Sequence, residues 1–279
     1  METKNLCKDY RLGKGNVNRV LKNIGLQVAE GEFVSVMGPS GSGKSTLLYC
    51  ISGMDRPTSG SVELGGMEIA KLSEDALAEL RLRKPGFIFQ QIRLLQNLSV
   101  LDNIILAEHL AGKNRGMVRQ KALSLLRKTG ISDLRDNDIS QASDGQLQRA
   151  AICRAPMNDP AILFGDEPTG ALNRASASEI MDLLEEVNRN GTAVFLVTHD
   201  AKIAARSQRV LCMADGRIVG EMVLGKYGEQ GECGKCGGHG EYGKCGEHGE
   251  QVEHRECGKC GEHGKCGESE KAAGRLIAR

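Results

Sequence analysis

Short apolar runs alternating with amphipathic helical segments predict an α/β fold around a parallel sheet, and three stretches carry that prediction. Phe33-Val34-Ser35-Val36-Met37 reads as a buried strand, then comes Gly38-Pro39-Ser40-Gly41-Ser42-Gly43-Lys44-Ser45-Thr46, then the apolar helix start Leu47-Leu48-Tyr49-Cys50-Ile51. Ala161-Ile162-Leu163-Phe164-Gly165 is a second strand run and ends in Asp166-Glu167; Ala193-Val194-Phe195-Leu196-Val197 is a third and ends in Thr198-His199-Asp200. Ligands of a parallel α/β sheet gather at the carboxyl ends of its strands, so these three ends predict one site.

Gly38 to Thr46 fits G-x-x-x-x-G-K-[ST] in the strand–loop–helix setting that the pattern requires, which makes it a phosphate-binding loop. Its glycines (Gly38, Gly41 and Gly43, with Ser40 and Ser42 between them) let successive N–H groups converge on an anion, and the following helix adds the positive end of its dipole. Lys44 is expected to reach the β- and γ-phosphates and the Ser45 hydroxyl to ligate Mg²⁺. The competing reading is a Gly/Ser-rich turn.

A chain of 279 residues is long enough for one large domain or two small ones. With Lys+Arg 37 against Asp+Glu 36 and a net charge of +1, there is no electrostatic case for a nucleic-acid partner. Aromatic content of 3% without Trp also removes the stacking platforms of a single-strand binder. No apolar run is long enough to span a bilayer, and Met1-Glu2-Thr3-Lys4-Asn5 opens without a signal core, so the expected location is cytoplasmic. Cys7, Cys50, Cys153 and Cys212, scattered singly, read as small buried thiols.

In chain order, Val20 to Val28 alternates as a half-buried strand and Ser61 to Leu64 is a short strand before Gly65-Gly66. Tyr10 is either an edge-strand tyrosine or a flat ring on which an adenine stacks. Ser73 starts a helix with Leu77, Leu80 and Leu82 periodic, and Gly86 to Gln90 reads as a strand ending in an amide. From Ile92 to about Ile139 the pattern is helical, with Lys113, Arg115, Arg119, Lys121, Arg127 and Lys128 read as a solvated face. Ser140 to Arg149 caps a helix whose N-terminus attracts anions, and Ser176 to Val187 is another helix, stopped by Asn190-Gly191. Asp166 has the placement of a Mg²⁺-holding carboxylate and Glu167 that of a water-polarising one. Arg209 to Met213 and Arg217 to Val219 suggest a closing hairpin across Asp215-Gly216.

In this order and spacing the pieces resemble the nucleotide-binding subunit of an ATP-binding cassette (ABC) transporter, over roughly residues 1 to 224. Phe87-Ile88-Phe89-Gln90, Asp166-Glu167-Pro168-Thr169-Gly170 and Val197-Thr198-His199-Asp200 resemble in particular the branch of macrolide-exporter, lipoprotein-release and antimicrobial-peptide-resistance ATPases. The resemblance implies an α/β, RecA-like P-loop NTPase core with an N-terminal antiparallel β subdomain and a helical subdomain at about 92–150. It makes Tyr10 the adenine-stacking aromatic, Gly38 to Thr46 the Walker A loop and Gln90 the Q-loop glutamine on Mg²⁺ and water. Asp166 becomes the Walker B aspartate, Glu167 the catalytic glutamate and His199 the switch histidine.

The family's signature Leu-Ser-Gly-Gly-Gln stands here as Ala142-Ser143-Asp144-Gly145-Gln146, which keeps Ser143, Gly145 and Gln146 and puts Asp144 where a glycine is usual. That segment closes on the γ-phosphate of the opposite subunit, where a second negative charge costs on the order of 1 to 4 kcal/mol. Asn173 likewise replaces the usual aspartate of the following segment and keeps an amide able to hydrogen-bond. The resemblance thus implies ATP and Mg²⁺, a homodimer, and a separate transmembrane permease that holds the chain on the inner face of the membrane. Hydrolysis driving export or extraction is expected; the alternative is a nucleotide-binding regulatory subunit impaired by Asp144 and Asn173.

From Gly225 to Arg279 the composition turns to Gly, Glu, Lys, Cys and His. The thiols of Cys233, Cys236, Cys245, Cys257, Cys260 and Cys266 and the imidazoles of His239, His248 and His263 suit Zn²⁺ or another soft metal. The alternatives are a low-complexity extension and transient disulfides.

Overall fold

The computed structural model describes residues 1–13, 15–224, 231–233 and 243–245. The chain opens with a long antiparallel pair, β1 (Glu2–Leu12) and β2 (Asn16–Gln27). It then enters β3 (Phe33–Met37), the phosphate loop and α1 (Lys44–Ile51). A hairpin across Gly65-Gly66 joins β4 (Ser59–Leu64) to β5 (Met67–Glu68), and β4 pairs with β1, so the first subdomain is the antiparallel sheet β2-β1-β4-β5.

Ser73 caps α2 (Glu74–Arg83), in which Leu77 and Leu80 are buried, and β6 (Pro85–Ile88) follows. The helical part comprises α3 (Val100–Leu110), α4 (Arg115–Lys128) and α5 (Asp144–Arg154). The core then resumes with β7 (Ile162–Asp166), α6 (Arg174–Arg189), β8 (Ala193–Val197), the short α7 (Ala201–Ala204), β9 (Arg209–Ala214) and β10 (Arg217–Val223). Asp215 and Gly216 both take positive φ in the β9–β10 hairpin, as its predicted turn requires. Gly231–Cys233 and Gly243–Cys245 pair as a two-stranded antiparallel ribbon.

The central sheet has the order β10-β9-β3-β8-β7-β6, with every neighbour from β9 to β6 parallel and only β10 antiparallel. β3, β7 and β8 are buried along their whole length, which explains why their sequences are continuous apolar runs. Strand alternation splits the core in two. Phe33, Leu163, Val194 and Leu196 face the layer built by α3, α4, α5 and α6, while Val34, Val36, Ile162, Phe164, Phe195 and Val197 face α1, α2 and the antiparallel sheet.

Four expectations change. The helical region starts at Val100 rather than Ile92, because Asn103, buried in α3, accepts from the Leu95 N–H (2.7 Å) and donates to the Leu95 and Ser99 carbonyls, holding residues 92–99 in a loop. β6 ends at Ile88, which leaves Gln90 two residues past the strand. Three of the basic residues, with Lys113 and Lys128 exposed and Lys121 half-buried, also tether their segments to other elements. Lys121 donates to the carbonyls of Pro156 (2.8 Å) and Met157 (2.6 Å) and to Asp159 (2.6 Å), Lys113 lies between Glu108 and Asp159, and Lys128 bonds Glu186. Arg115, Arg119 and Arg127 remain exposed. Cys50 and Cys153 are buried, but Cys7 and Cys212 are only half-buried.

No helix among the described residues is long and apolar enough to cross a membrane. The side chains of Cys233, Cys236, Cys245, Cys257, Cys260, Cys266, His239, His248 and His263 lie outside the described residues.

Candidate functional site

The phosphate loop leaves the middle of the sheet at the end of β3, and two of its glycines are dictated by backbone contact. A Cβ on Gly38 would stand 2.0 Å from the Met213 carbonyl oxygen; one on Gly43, at φ +98°, would stand 3.0 Å from that of Val20. The loop is thereby pressed against β9 and β2 and forms the N-cap of α1 at Gly43. Ser40 and Gly41 are exposed at its crest, while the Ser42 hydroxyl is buried and has no hydrogen-bond partner. Lys44 lies across the loop, donating to the carbonyls of Gly38 (2.9 Å) and Pro39 (2.8 Å). Its burial lowers the ammonium pKa, against the opposing pull of Glu167 and Asp166 nearby. Thr46 follows in the first turn of α1.

β7 delivers Asp166 to this helix. Its carboxylate, 2% exposed, accepts from the Ser45 hydroxyl (3.0 Å) and the Tyr49 hydroxyl (3.1 Å). Burial pushes its pKa up; the two hydrogen bonds pull the other way, Glu167 adds to the rise and Lys44 opposes it. A buried carboxylate beside a hydroxyl is an oxygen donor set suited to Mg²⁺ that takes its remaining ligands from phosphate and water, and the ammonium on the same edge suits the phosphate. Among the described residues no group of three or more His, Cys, Asp and Glu side chains forms a metal cage.

Glu167 takes the left-handed conformation, φ +50°, costly for a residue with a Cβ. Its N–H donates to the Val197 carbonyl of β8 (2.9 Å), and its carbonyl accepts from the Gly170 N–H (3.1 Å). The carboxylate thus turns to His199, whose Nδ1 lies 2.7 and 2.8 Å from the two oxygens. The Glu167 side chain is 14% exposed and His199 74%, so the carboxylate is sheltered while the imidazole faces solvent. Gln90 is exposed beyond β6, next to the strand that ends at Asp166; its amide makes no hydrogen bond to Ser45 or Asp166 among the described residues.

The segment Ser143 to Gln146 begins α5. Ser143 is its N-cap, in a capping box with Gln146: the Gln146 N–H donates to the Ser143 hydroxyl (3.4 Å), and the Gln146 side-chain oxygen accepts from the Ser143 N–H (2.9 Å). Asp144 is exposed in the first turn, where the helix dipole favours a carboxylate, and Gly145 lies against Leu172. Within its own chain Asp144 is therefore a good residue, and any cost belongs to what it meets. Asn173 is the N-cap of α6, its side-chain oxygen accepting from the Ser176 N–H (2.9 Å), so the amide at this position has a hydrogen bond to make.

Tyr10, on β1, is 36% exposed and donates its hydroxyl to Asp55 (2.7 Å). Sequence reasoning missed Tyr49, Gln148 and the partners of Tyr10. Tyr49 was legible, since a residue four beyond Ser45 shares its helix face. Gln148, buried in α5, donates its amide to the carbonyl of Pro168 (2.9 Å), tying the Ser143 helix to the turn after Glu167. No local pattern announces that contact.

Residues 21–170, more than half of the chain, match the family described as ABC transporter. A macrolide export ATP-binding/permease protein of Paracoccus denitrificans is 44% identical over 218 residues, 78% of this chain and 32% of the relative; its counterpart in Chlorobaculum tepidum is 40% identical over 221 residues, 34% of its length. The chain thus spans about a third of these relatives. A solved ATP-binding cassette, in a dimeric post-hydrolysis state bound to ADP and phosphate, superposes with a TM-score of 0.77 at 37% identity, covering 81% of this chain and 99% of that one. On the sequence match and this full-length likeness to a cassette, the chain belongs to the ABC transporter family.

Proposed function

We propose that the chain binds Mg·ATP at the Gly38–Thr46 loop, hydrolyses it in a head-to-tail dimer of two copies, and drives a separate transmembrane permease in export or extraction. The supporting observation is the convergence of Lys44, Ser45, Asp166, Glu167 and His199 on one edge of the sheet. Ser45, Asp166 and Gln90 would hold Mg²⁺, which supplies charge neutralisation on the β- and γ-phosphates. Ser40 to Thr46 would cradle the phosphates through backbone N–H groups, and Tyr10 would carry the adenine. Glu167 would accept a proton from the attacking water, with His199 holding its carboxylate in place. Ser143, Gly145 and Gln146 of the second copy would close the site.

The dimer reading is supported by similar cassettes solved as dimers, and the permease by relatives described as ATP-binding/permease proteins. Docked on a permease, the chain would sit on the inner face of the membrane. Phosphate release from the full chain with Mg·ATP is the test, with Glu167→Gln as reference. Release by the wild type alone, at equal ATP affinity, is expected; indistinguishable rates would leave a nucleotide-binding regulatory subunit, the reading Asp144 favours.

The Cys/His-rich tail is proposed to take up Zn²⁺ or another soft metal, on the two Cys-x-x-Cys pairs with a histidine three residues beyond Cys236, Cys245 and Cys260. Metal content of the full chain should exceed that of a chain ending at Leu224, and equal content would dismiss the idea.

A further inference from the structure

Tyr10 does not stand alone. Asp55, in the turn after α1, accepts the Tyr10 hydroxyl on one oxygen (2.7 Å) and the Lys8 ammonium (2.6 Å) together with the Arg56 N–H (2.7 Å) on the other. Lys8, buried to 9% exposure, also donates to the Arg56 carbonyl (2.7 Å), and its ammonium lies over the Tyr10 ring, 4.8 Å from the centroid. Asp55 is itself fixed by its N–H on the Tyr49 carbonyl (3.0 Å). The Tyr10 ring is thus referenced to α1, the same helix whose first turn presents Lys44 and Ser45.

We propose that Lys8 and Asp55 are positioning residues for a nucleobase platform: Lys8 backs one face of Tyr10, Asp55 fixes its hydroxyl to α1, and a purine stacks on the remaining face at a set distance from the phosphate loop. The proposal rests on the nucleotide-binding reading above. Stacking on an aromatic ring holds any flat base, and a cation behind the ring orders it without competing for the open face. An unclamped ring would sample other rotamers, and ordering it on binding weakens affinity.

The test compares two ligands by calorimetry on the full chain: Mg·ATP, which has a base, and Mg·tripolyphosphate, which has none. Tyr10→Ala should weaken ATP about 5- to 150-fold, the range of aromatic–base stacking. Asp55→Asn, Lys8→Met and Tyr10→Phe should each weaken ATP about 3- to 10-fold, the loss of one hydrogen bond or cation–π contact. Tripolyphosphate should stay within about twofold for all four. Because Asp55 acts through the hydroxyl, Tyr10→Phe should add little in the Asp55→Asn background. Tyr10→Phe removes one atom and keeps the question answerable where Asp55→Asn fails to fold. Equal losses for both ligands, or no loss for ATP, would overturn the platform. A wild type that binds neither ligand would instead overturn the nucleotide reading itself.

Discussion

The Ser45 hydroxyl donates to Asp166 at 3.0 Å, joining two residues 121 positions apart at the point where helix α1 meets the end of β7. Around that bond the chain gathers one ammonium, two carboxylates and an imidazole. Each consequence can be measured separately.

Ser45→Ala should remove a ligand without disturbing the fold. Loss of a partner of a metal site typically costs about 10- to 100-fold in metal affinity, so Mg·ATP affinity should fall about tenfold or more. Nucleotide binding in EDTA should barely change, and titrations with and without Mg²⁺ distinguish the two.

Asp166→Asn should raise stability while abolishing Mg²⁺-dependent binding. Burial holds the Asp166 pKa above the ordinary carboxylate value, so folding favours its protonated form. Its contribution is present at acid pH and is lost as pH rises through the folded pKa; at neutral pH the buried charge is a net cost. Removing it should raise the ligand-free Tm at pH 7 by about 2–4 °C, the shift that ~1 kcal/mol gives a domain of this size, and the gain should vanish towards pH 4. Thermal melts across pH without nucleotide are the measurement.

Glu167→Gln should lower phosphate release by about 10²–10⁴-fold, the usual worth of a general base, with ATP affinity held. His199→Ala should slow release less, since Glu167 also keeps its backbone bonds to Val197 and Gly170. Single-turnover rates compared with binding constants test both.

Asp144→Gly should trade a little helix stability for turnover. The carboxylate gains about 0.3–1 kcal/mol from the α5 dipole, which the variant gives up, so Tm should drop slightly. Where two copies close over ATP, relief of like-charge repulsion should raise phosphate release and ATP-induced dimerisation, read by light scattering. Unchanged dimerisation would remove Asp144 as a brake.

Lys121→Met should destabilise the chain far from the nucleotide. Three acceptors lose their donor, for about 2 kcal/mol or a Tm drop of about 4–8 °C, while ATP affinity stays constant.

The sequence by itself determined the strands of the parallel core, the loop and the order of the motifs, whereas β1 (Glu2–Leu12) carries no apolar run that marks it. Those features are local: a Gly-rich loop between a strand and a helix, an apolar run buried on both faces, a cluster of polar residues at a helix start. It also placed Lys44, Asp166, Glu167 and His199 at one edge, because parallel strands put their carboxyl ends together. Only the tertiary structure decided which side chains meet. The ion pairs of Lys113, Lys121 and Lys128 are invisible in a helical pattern because the pattern does not contain Asp159 or Glu186, their partners from other elements. Asp55 reaches Lys8 across 47 residues and Gln148 reaches the Pro168 carbonyl across 20, and no periodicity encodes such distances. Backbone conformation is written in neighbours a few residues apart; a hydrogen bond between elements exists only once packing has brought its two ends within 3 Å of each other.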